Sequence, residues 1–261
     1  MQKITINFKD YLAEIYDKPQ KIHESFKIFH NYSLFNSILA EIQLGKAEPI
    51  NTYQGWIKLG RQVKKGSRAI ELFLPVKYKI ENEENEKFEQ DFFKTVFIKK
   101  KYWFGLSQTD GEEFKINNLP NYNINQALEN LQIKQIEFEN IDGNCQGYAI
   151  PNQKKIAINP LSYSPFETLI HEAAHCLLHD KESKIVDNQL LDISTKEFEA
   201  ETTAYLVCCS LGMFDNLEYS RGYISQWIKR SDIEEINFKR AFDCANKILQ
   251  AGLIKNDIKS N

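Results

Sequence analysis

One short stretch, residues 164–179 (SPFETLIHEAAHCLLH), constrains the chain more than any other. It places three of the five histidines within nine residues, with a glutamate directly after the first. His171 and His175 are four residues apart, so on a helix both imidazoles lie on one face and can bind a single Zn²⁺. Glu172 points off that face and can act as general base toward a water at the metal. The alternative is a packed helix whose histidines are simply hydrogen-bonded by their neighbours.

The residues before this motif predict where its helix begins. Ser164 can cap the helix, Pro165 suits its first position, and Glu167 completes an S-x-x-E capping box. A helix that begins there sets the two histidines of the motif one turn apart. His179 lies one turn further on, at a spacing that does not match the longer three-histidine zinc motif. We therefore expect His179 to pack in the core or to support a ligand.

A catalytic zinc site needs a third protein ligand and one open position, and residues 196–212 (KEFEAETTAYLVCCSLG) offer carboxylates. On a helical wheel, Glu197 and Glu201 lie on or beside the apolar face, whereas Glu199 lies nearly opposite. Buried carboxylates need a cation or donors. We assign Glu197 as third ligand and Glu201 as the acceptor for a ligand histidine's other N–H. Acids favoured by the helix dipole at an N-terminus would explain Glu197 but not Glu201.

Turn and linker signals divide the chain into two predicted domains of an α+β protein. Residues 117–126 (NNLPNYNINQ) are poor in apolar side chains and predict a linker, so the domains are expected at 1–118 and 119–261. The predicted elements of the second half are a helix at 125–133, strands at 136–140, 147–150 and 154–159, and helices at 194–212, 220–230 and 235–251. The strand at 154–159 is expected to be the sheet edge, where an extended peptide could add.

Composition fits a globular protein and excludes other classes. Hydrophobic residues make up 42% of the chain and charged residues 26%. No apolar run approaches the ~20 residues that cross a bilayer, and the N-terminus lacks a signal-peptide core. We therefore expect a cytoplasmic protein with no membrane partner. None of the five cysteines forms a C-x-x-C pair, which indicates reduced thiols rather than disulfides or a cysteine-based zinc finger.

Two segments of the first half, 52–76 and 99–103, mix cations with aromatic residues. Cations along the phosphates and aromatic rings under the bases hold single strands without sequence preference. The candidate DNA-binding residues are Tyr53, Trp56, Lys58, Arg61, Lys64, Lys65, Arg68, Lys99, Lys100, Lys101, Tyr102 and Trp103. The alternative is that the aromatics are core residues and the lysines a solvated face. Residues 1–115 carry 19 basic and 16 acidic residues, so their net charge is only +3.

Longer segments resemble a known family. TLIHEAAHCLLH, EFEAETTAYLVCCSLGM and YSRGYISQWI resemble the zincin-like metallopeptidase domain of ArdC-type antirestriction proteins of plasmids, phages and other mobile genetic elements. NYSLFNSIL, TYQGWIKLGRQVKKGSRAIELFLPV and YWFGLSQTDG resemble the N-terminal single-stranded-DNA-binding domain of that family. The E-x-x-A-E element also resembles the ligand helix of gluzincins, including the ImmA/IrrE group. There the first acid binds metal and the residue four later supports it, which agrees with Glu197 and Glu201.

The resemblance implies an N-terminal mixed α/β domain that binds single-stranded DNA and a C-terminal, gluzincin-like minimal metallopeptidase domain. Zn²⁺ would be the cofactor, and a repressor or a restriction component is a candidate protein substrate. Tyr163 and Tyr223 are candidate donors to the oxyanion of peptide hydrolysis. The alternative function is shielding of an entering single strand by a non-catalytic protein whose metal site is structural or vestigial.

Overall fold

The computed structural model describes residues 18–79, 93–116, 119–139, 144–180, 192–215, 217, 222, 224 and 233–254. The helices are α1 (Pro19–Phe29), α2 (Leu34–Leu44), α3 (Tyr53–Lys58), α4 (Ile124–Asn130), α5 (Pro165–Leu178), α6 (Ile193–Ser210) and α7 (Glu235–Gly252). The strands are β1 (Ile50–Thr52), β2 (Arg61–Val63), β3 (Ile70–Lys79), β4 (Phe93–Gly105), β5 (Thr109–Gly111), β6 (Lys134–Ile136), β7 (Gly147–Ile150) and β8 (Lys155–Ile158). This mixture confirms the α+β class. Most of the predicted helix at 220–230 lies outside the described residues.

The chain divides into two compact units. The smaller covers residues 36–117, and the larger joins residues 1–35 to residues 118–261. The predicted domain boundary at 118 coincides with one end of the smaller unit, but the first 35 residues group differently from the prediction. Helix α1 explains this grouping, because its buried apolar face packs on α6 of the larger unit. His23 Nδ1 also donates to the Ser210 carbonyl at 2.9 Å.

The smaller unit is built on an antiparallel sheet of order β1-β4-β3, beside a two-stranded sheet of β2 and β5. Strands β3 and β4 pair from Ile70–Trp103 to Lys79–Phe93, with a bulge after Ile70. Side chains on β4 therefore alternate between the two faces of the sheet. Helix α3 is capped by Thr52, whose hydroxyl accepts from the Gly55 amide at 3.0 Å.

The sheet of the larger unit has the order β6-β8-β7, with β6 parallel and β7 antiparallel to β8. The expectation that residues 154–159 form an edge strand is wrong, because β6 and β7 flank β8. Ile156 and Ala157 are fully buried, as suits a central strand. Among the described residues, β6 and β7 each have a strand on one side only, so these two strands are the edges of the sheet.

Helix α5 packs between this sheet and α6. It begins at Pro165 as predicted, but Ser164 makes no side-chain cap; its carbonyl instead accepts from the Thr168 amide and hydroxyl, each at 2.9 Å. Helix α6 is capped by Asp192. Its surface is buried almost all round, where the sequence predicted a single apolar face. No helix within the described ranges is long and apolar enough to cross a membrane.

Candidate metal centre

Three side chains from helices α5 and α6 converge on one point. The Nε2 atoms of His171 and His175 are 3.1 Å apart, and the Glu197 carboxylate lies 3.3 Å from the first and 3.5 Å from the second. Ligands at ~2.0–2.1 Å from a tetrahedral metal ion are separated by about 3.3–3.4 Å. The donor types and their separations therefore fit a single divalent ion, and these are the three residues that the sequence selected as ligands.

The second ring nitrogen of His171 contacts Glu201. The Nδ1–Oε2 distance is 3.0 Å, so Nδ1–H donates to the carboxylate and Nε2 faces His175 and Glu197. This is the contact expected from the four-residue spacing of Glu197 and Glu201 on α6. A carboxylate in this position fixes the orientation of a ligand histidine and increases its basicity.

His175 has a different supporting partner. Its Nδ1 lies 2.8 Å from Nδ1 of His179, and Nε2 of His179 lies 3.1 Å from Glu199. Glu199 has no solvent-exposed surface. It also accepts from Arg240 Nε at 3.0 Å and from Asn237 Nδ2 at 2.9 Å, both on α7. Sequence reasoning missed Glu199 and its α7 partners, because a helical wheel does not show that α7 covers the second face of α6.

The carboxylates strongly affect the ionisation of the ligand side chains. Burial acts to lower the pKa of His171, but hydrogen bonds with Glu197 and Glu201 outweigh it and raise this pKa to about 10. The same contact with His171, followed by that with His175, holds the pKa of the Glu197 carboxyl well below its usual range. Without a metal, a proton is therefore shared within the cluster.

Glu172 lies beside this cluster and is 8% exposed. Burial raises the pKa of its carboxyl, and the neighbouring histidines only partly offset that effect. Glu172, His171 and Glu201 line a cleft of about 360 Å³. A carboxylate with a raised pKa in such a cleft suits a group that accepts and then returns a proton.

The start of β7 lines the cleft next to Glu172. A Cβ atom at Gly147 would lie 2.8 Å from Thr168 Cγ2 and 3.3 Å from Glu172 Cγ. The strand approaches α5 this closely because residue 147 has no side chain. Tyr163 also lines the cleft and is 64% exposed. Tyr223, the other candidate oxyanion donor, lies outside the described residues.

The aromatic candidates for DNA binding in the smaller unit separate into two groups. Trp56 and Trp103 are buried, and the Trp56 indole donates to the Phe104 carbonyl at 2.8 Å. Both are core residues, which corrects the expectation that they stack on bases, because neither ring presents a free face. Tyr53 and Tyr102 are 43% and 51% exposed.

The basic candidates for DNA binding also differ from one another: some have charged ends that contact the protein itself, and some are exposed. The Arg61 guanidinium donates to Thr109 Oγ1 at 2.8 Å and to the carbonyls of Thr109, Gly111 and Glu112, so it joins β2 to β5 and is not a free phosphate ligand. Lys64 contacts the Ser107 carbonyl and Asp110. The exposed candidates are Lys58, Lys64, Lys65, Arg68, Lys99 and Lys101, and Lys100 lies half-buried with its ammonium 5.5 Å from the Tyr102 ring centroid.

Comparisons with known proteins found a family model and a curated relative that match this chain. Residues 14–113 match the family model of the N-terminal domain of anti-restriction factor ArdC. An uncharacterized Bacillus anthracis protein, pXO2-81, is 28% identical over 275 residues, which cover 86% of this chain and 46% of that protein. The chain thus spans about half the length of this curated relative.

Two solved structures share the fold. The metal-free crystal structure of the antirestriction protein ArdC from plasmid R388 matches with a TM-score of 0.53 and 17% identity, over 94% of both chains. The Mn(II)-bound structure of the same protein matches with a TM-score of 0.52 and 18% identity, over 94% of this chain and 98% of that one. The low identities mean that these two matches demonstrate a shared fold only.

Proposed function

We propose that this chain, whose residues 14–113 match the N-terminal domain of anti-restriction factor ArdC, is an ArdC-type antirestriction protein that combines single-stranded-DNA binding with peptide hydrolysis at a divalent-metal centre. The observation that carries the catalytic half is the set of ligand separations between His171, His175 and Glu197. The Mn(II)-bound structure of R388 ArdC supports a divalent ion as the cofactor. We propose Zn²⁺, because imidazole ligands suit zinc and it binds such sites more tightly than Mn²⁺.

The proposed chemistry assigns a role to each side chain of the cleft. His171, His175 and Glu197 would hold the ion, which when bound lowers the pKa of a water and polarises a carbonyl. The Glu172 carboxylate would accept a proton from the attacking water and pass it to the leaving nitrogen of the peptide. The free edge of β7 suits an extended peptide, which would add as a further strand beside the cleft.

The proposed DNA surface consists of the exposed side chains of the smaller unit. Tyr102 on β4 has a half-exposed ring with the Lys100 ammonium beside it, and Tyr53 begins α3 with a 43% exposed side chain. A ring with one free face and a nearby cation is the arrangement that stacks on a base while neutralising its phosphate. These contacts support the DNA proposal better than the buried tryptophans do.

Replacing Tyr102 with alanine is expected to weaken single-stranded-DNA binding by about 1–3 kcal/mol, the usual contribution of stacking one base on an aromatic ring. The free energy of unfolding should change little, because the side chain is half exposed. Fluorescence anisotropy with a labelled oligonucleotide measures the affinity. Tyr163→Ala removes an exposed tyrosine of the larger unit and is the matched control. If wild type and Tyr102→Ala bind the oligonucleotide equally well, Tyr102 is not part of the proposed DNA surface.

Metal affinity is expected to increase with pH. In the metal-free protein the pKa of His171 is raised to about 10, so its imidazole is protonated at neutral pH. A metal ion must displace that proton to bind Nε2. From about pH 6 to about pH 8, the logarithm of the association constant should therefore rise by about one for each pH unit. Competition with a chelator of known pH dependence measures this slope. A flat profile would show that no proton leaves the cluster on binding.

A cleavage assay separates the proposed function from its rivals. Metal-loaded protein is incubated with a peptide library, with and without a single-stranded oligonucleotide. Cleavage that stops when a chelator is added supports a metallopeptidase. Cleavage only in the presence of DNA favours a DNA-triggered protease whose substrate is a repressor or a restriction component. Metal-loaded protein that binds DNA and cleaves nothing favours strand shielding with a structural or vestigial metal site.

A further inference from the structure

A buried group of polar side chains lies behind the proposed metal centre and has no part in the mechanism above. It consists of His179 at the end of α5, Glu199 on α6, and Asn237 and Arg240 on α7; we name these four residues the buried relay. Arg240 also donates to the Leu178 carbonyl at 2.9 Å. The group brings three helices together around a carboxylate with no exposed surface.

The hydrogen-bond partners of Glu199 determine which nitrogen of His179 carries the proton. Both carboxylate oxygens of Glu199 accept from the Arg240 Nε, at 3.0 and 3.1 Å, and Asn237 donates to one of them. A carboxylate in this setting only accepts, so His179 must donate through Nε2–H across the 3.1 Å contact. A neutral His179 then has a lone pair on Nδ1.

That lone pair determines the proton position on His175. The two Nδ1 atoms are 2.8 Å apart, and this short contact requires one donor and one acceptor. Since Nδ1 of His179 accepts, Nδ1–H of His175 donates. The Nε2 lone pair of His175 is then directed at His171 and Glu197, which is the tautomer that a metal ligand needs.

We propose that Glu199, held by Arg240 and Asn237, is a positioning residue that acts through His179 to keep the proton of His175 on Nδ1 and so leaves Nε2 free for metal. This inference rests on the proposed metal centre. Through His179, the buried relay would fix the orientation and tautomer of His175, as Glu201 does for His171 by direct contact. The two ligand histidines are thus oriented by separate carboxylates of the same helix, one half-buried and one fully buried.

The substitution Glu199→Gln tests this proposal at nearly constant side-chain size. Arg240 and Asn237 would hold the amide oxygen, so the amide NH₂ would face Nε2 of His179. His179 would then accept at Nε2 and donate from Nδ1, and His175 would have to carry its proton on Nε2. That proton occupies the position that the metal needs, so Zn²⁺ affinity should fall by about tenfold.

The first measurement needs no metal and no variant. In the full chain labelled with ¹⁵N-histidine and freed of metal, the imidazole resonances report which ring nitrogens carry protons, for each of the five histidines. The proposal expects Nδ1–H on His175 and Nε2–H on His179. Nε2–H on His175 in the wild type would overturn it, whether or not Glu199→Gln folds.

The second measurement compares Zn²⁺ affinity by chelator competition in wild type, Glu199→Gln and Glu48→Gln. Glu48 is a buried carboxylate of the smaller unit that accepts from Ser107, so Glu48→Gln controls for the general effect of neutralising a buried acid. About tenfold weaker binding in Glu199→Gln alone supports the proposal. Wild-type affinity in a folded Glu199→Gln overturns it. Absence of Zn²⁺ binding in wild type would refute the proposed metal centre instead, and the imidazole resonances would still decide the tautomers.

Discussion

A Glu172→Gln variant is expected to keep its metal and to lose roughly 10²- to 10⁴-fold in kcat for peptide hydrolysis, the usual contribution of a general base. Glutamine has the same size and still fills the wall of the cleft, but its amide cannot accept the proton of the attacking water. Burial raises the pKa of the Glu172 carboxyl, so the wild-type group is a stronger proton acceptor than a solvent-exposed glutamate. Metal content and kcat are measured on the same preparation.

The matched control is Glu129→Gln, the same substitution at an exposed position of α4. It should leave kcat and metal content at the wild-type level. Full peptidase activity in Glu172→Gln would exclude Glu172 as the general base. Loss of metal from that variant would instead assign Glu172 to the ligand set and not to proton transfer.

Replacing His175 or Glu197 with alanine is expected to weaken Zn²⁺ binding by at least about 100-fold, since even residues that only support a ligand contribute about 10- to 100-fold. Wild type at a free metal concentration of about one hundred times Kd should gain about 2.7 kcal/mol in the free energy of unfolding. Both variants should lose that gain. Elemental analysis gives the bound metal, and denaturant unfolding with and without Zn²⁺ gives the stabilisation.

Glu197→Ala is the more informative of the two variants, because the Glu197 side chain is 43% exposed and contributes little to the core. Its unfolding free energy without metal should fall only by the screened contribution of its contacts with His171 and His175, and that of the control Glu129→Ala should stay near wild type. Undiminished Zn²⁺ binding in Glu197→Ala would remove this carboxylate from the site. A third ligand would then have to come from another residue.

The helices were more predictable than the sheets. Ser164, Pro165 and Glu167 predicted where α5 begins, and α6 and α7 begin and end within two residues of the predicted bounds. The prediction that β8 is an edge strand of the larger unit's sheet was wrong. The residues of β8 alone do not reveal that β6 pairs along the side that β7 leaves open. The grouping of α1 with the larger unit could not be predicted either, because α6, on which its apolar face packs, is distant in sequence.

The ligand cluster could be predicted because helical spacing alone brings its members together. His171 and His175 are one turn apart, and so are Glu197 and Glu201, so two helices in contact suffice to form the cluster. Glu199 could not be recognised, because its partners Asn237 and Arg240 come from a third helix. Its burial depends on the packing of α7 and not on any local pattern.

In the smaller unit, composition was a poor guide to exposure. Trp56 and Trp103 fit an aromatic–cation pattern but fill the core of the smaller unit, and Arg61 donates to backbone carbonyls of β5. Exposed and buried aromatics share the same neighbours in sequence, because successive residues of a strand point to opposite sides. Tyr102 and Trp103 are one such adjacent pair.

Helix α6 supplies Glu197 of the proposed metal centre, the carboxylates of Glu199 and Glu201 that contact its histidines, and much of the core of the larger unit. A mutational scan of this helix that measures activity alone will therefore not separate residues needed for folding from residues needed for chemistry; the free energy of unfolding has to be measured for each variant. Truncating Tyr205 or Phe198, which are buried away from the cleft-lining residues, would shift the same backbone that carries Glu197. A loss of activity at a buried position of this helix that does not line the cleft would therefore be expected to accompany a loss of stability.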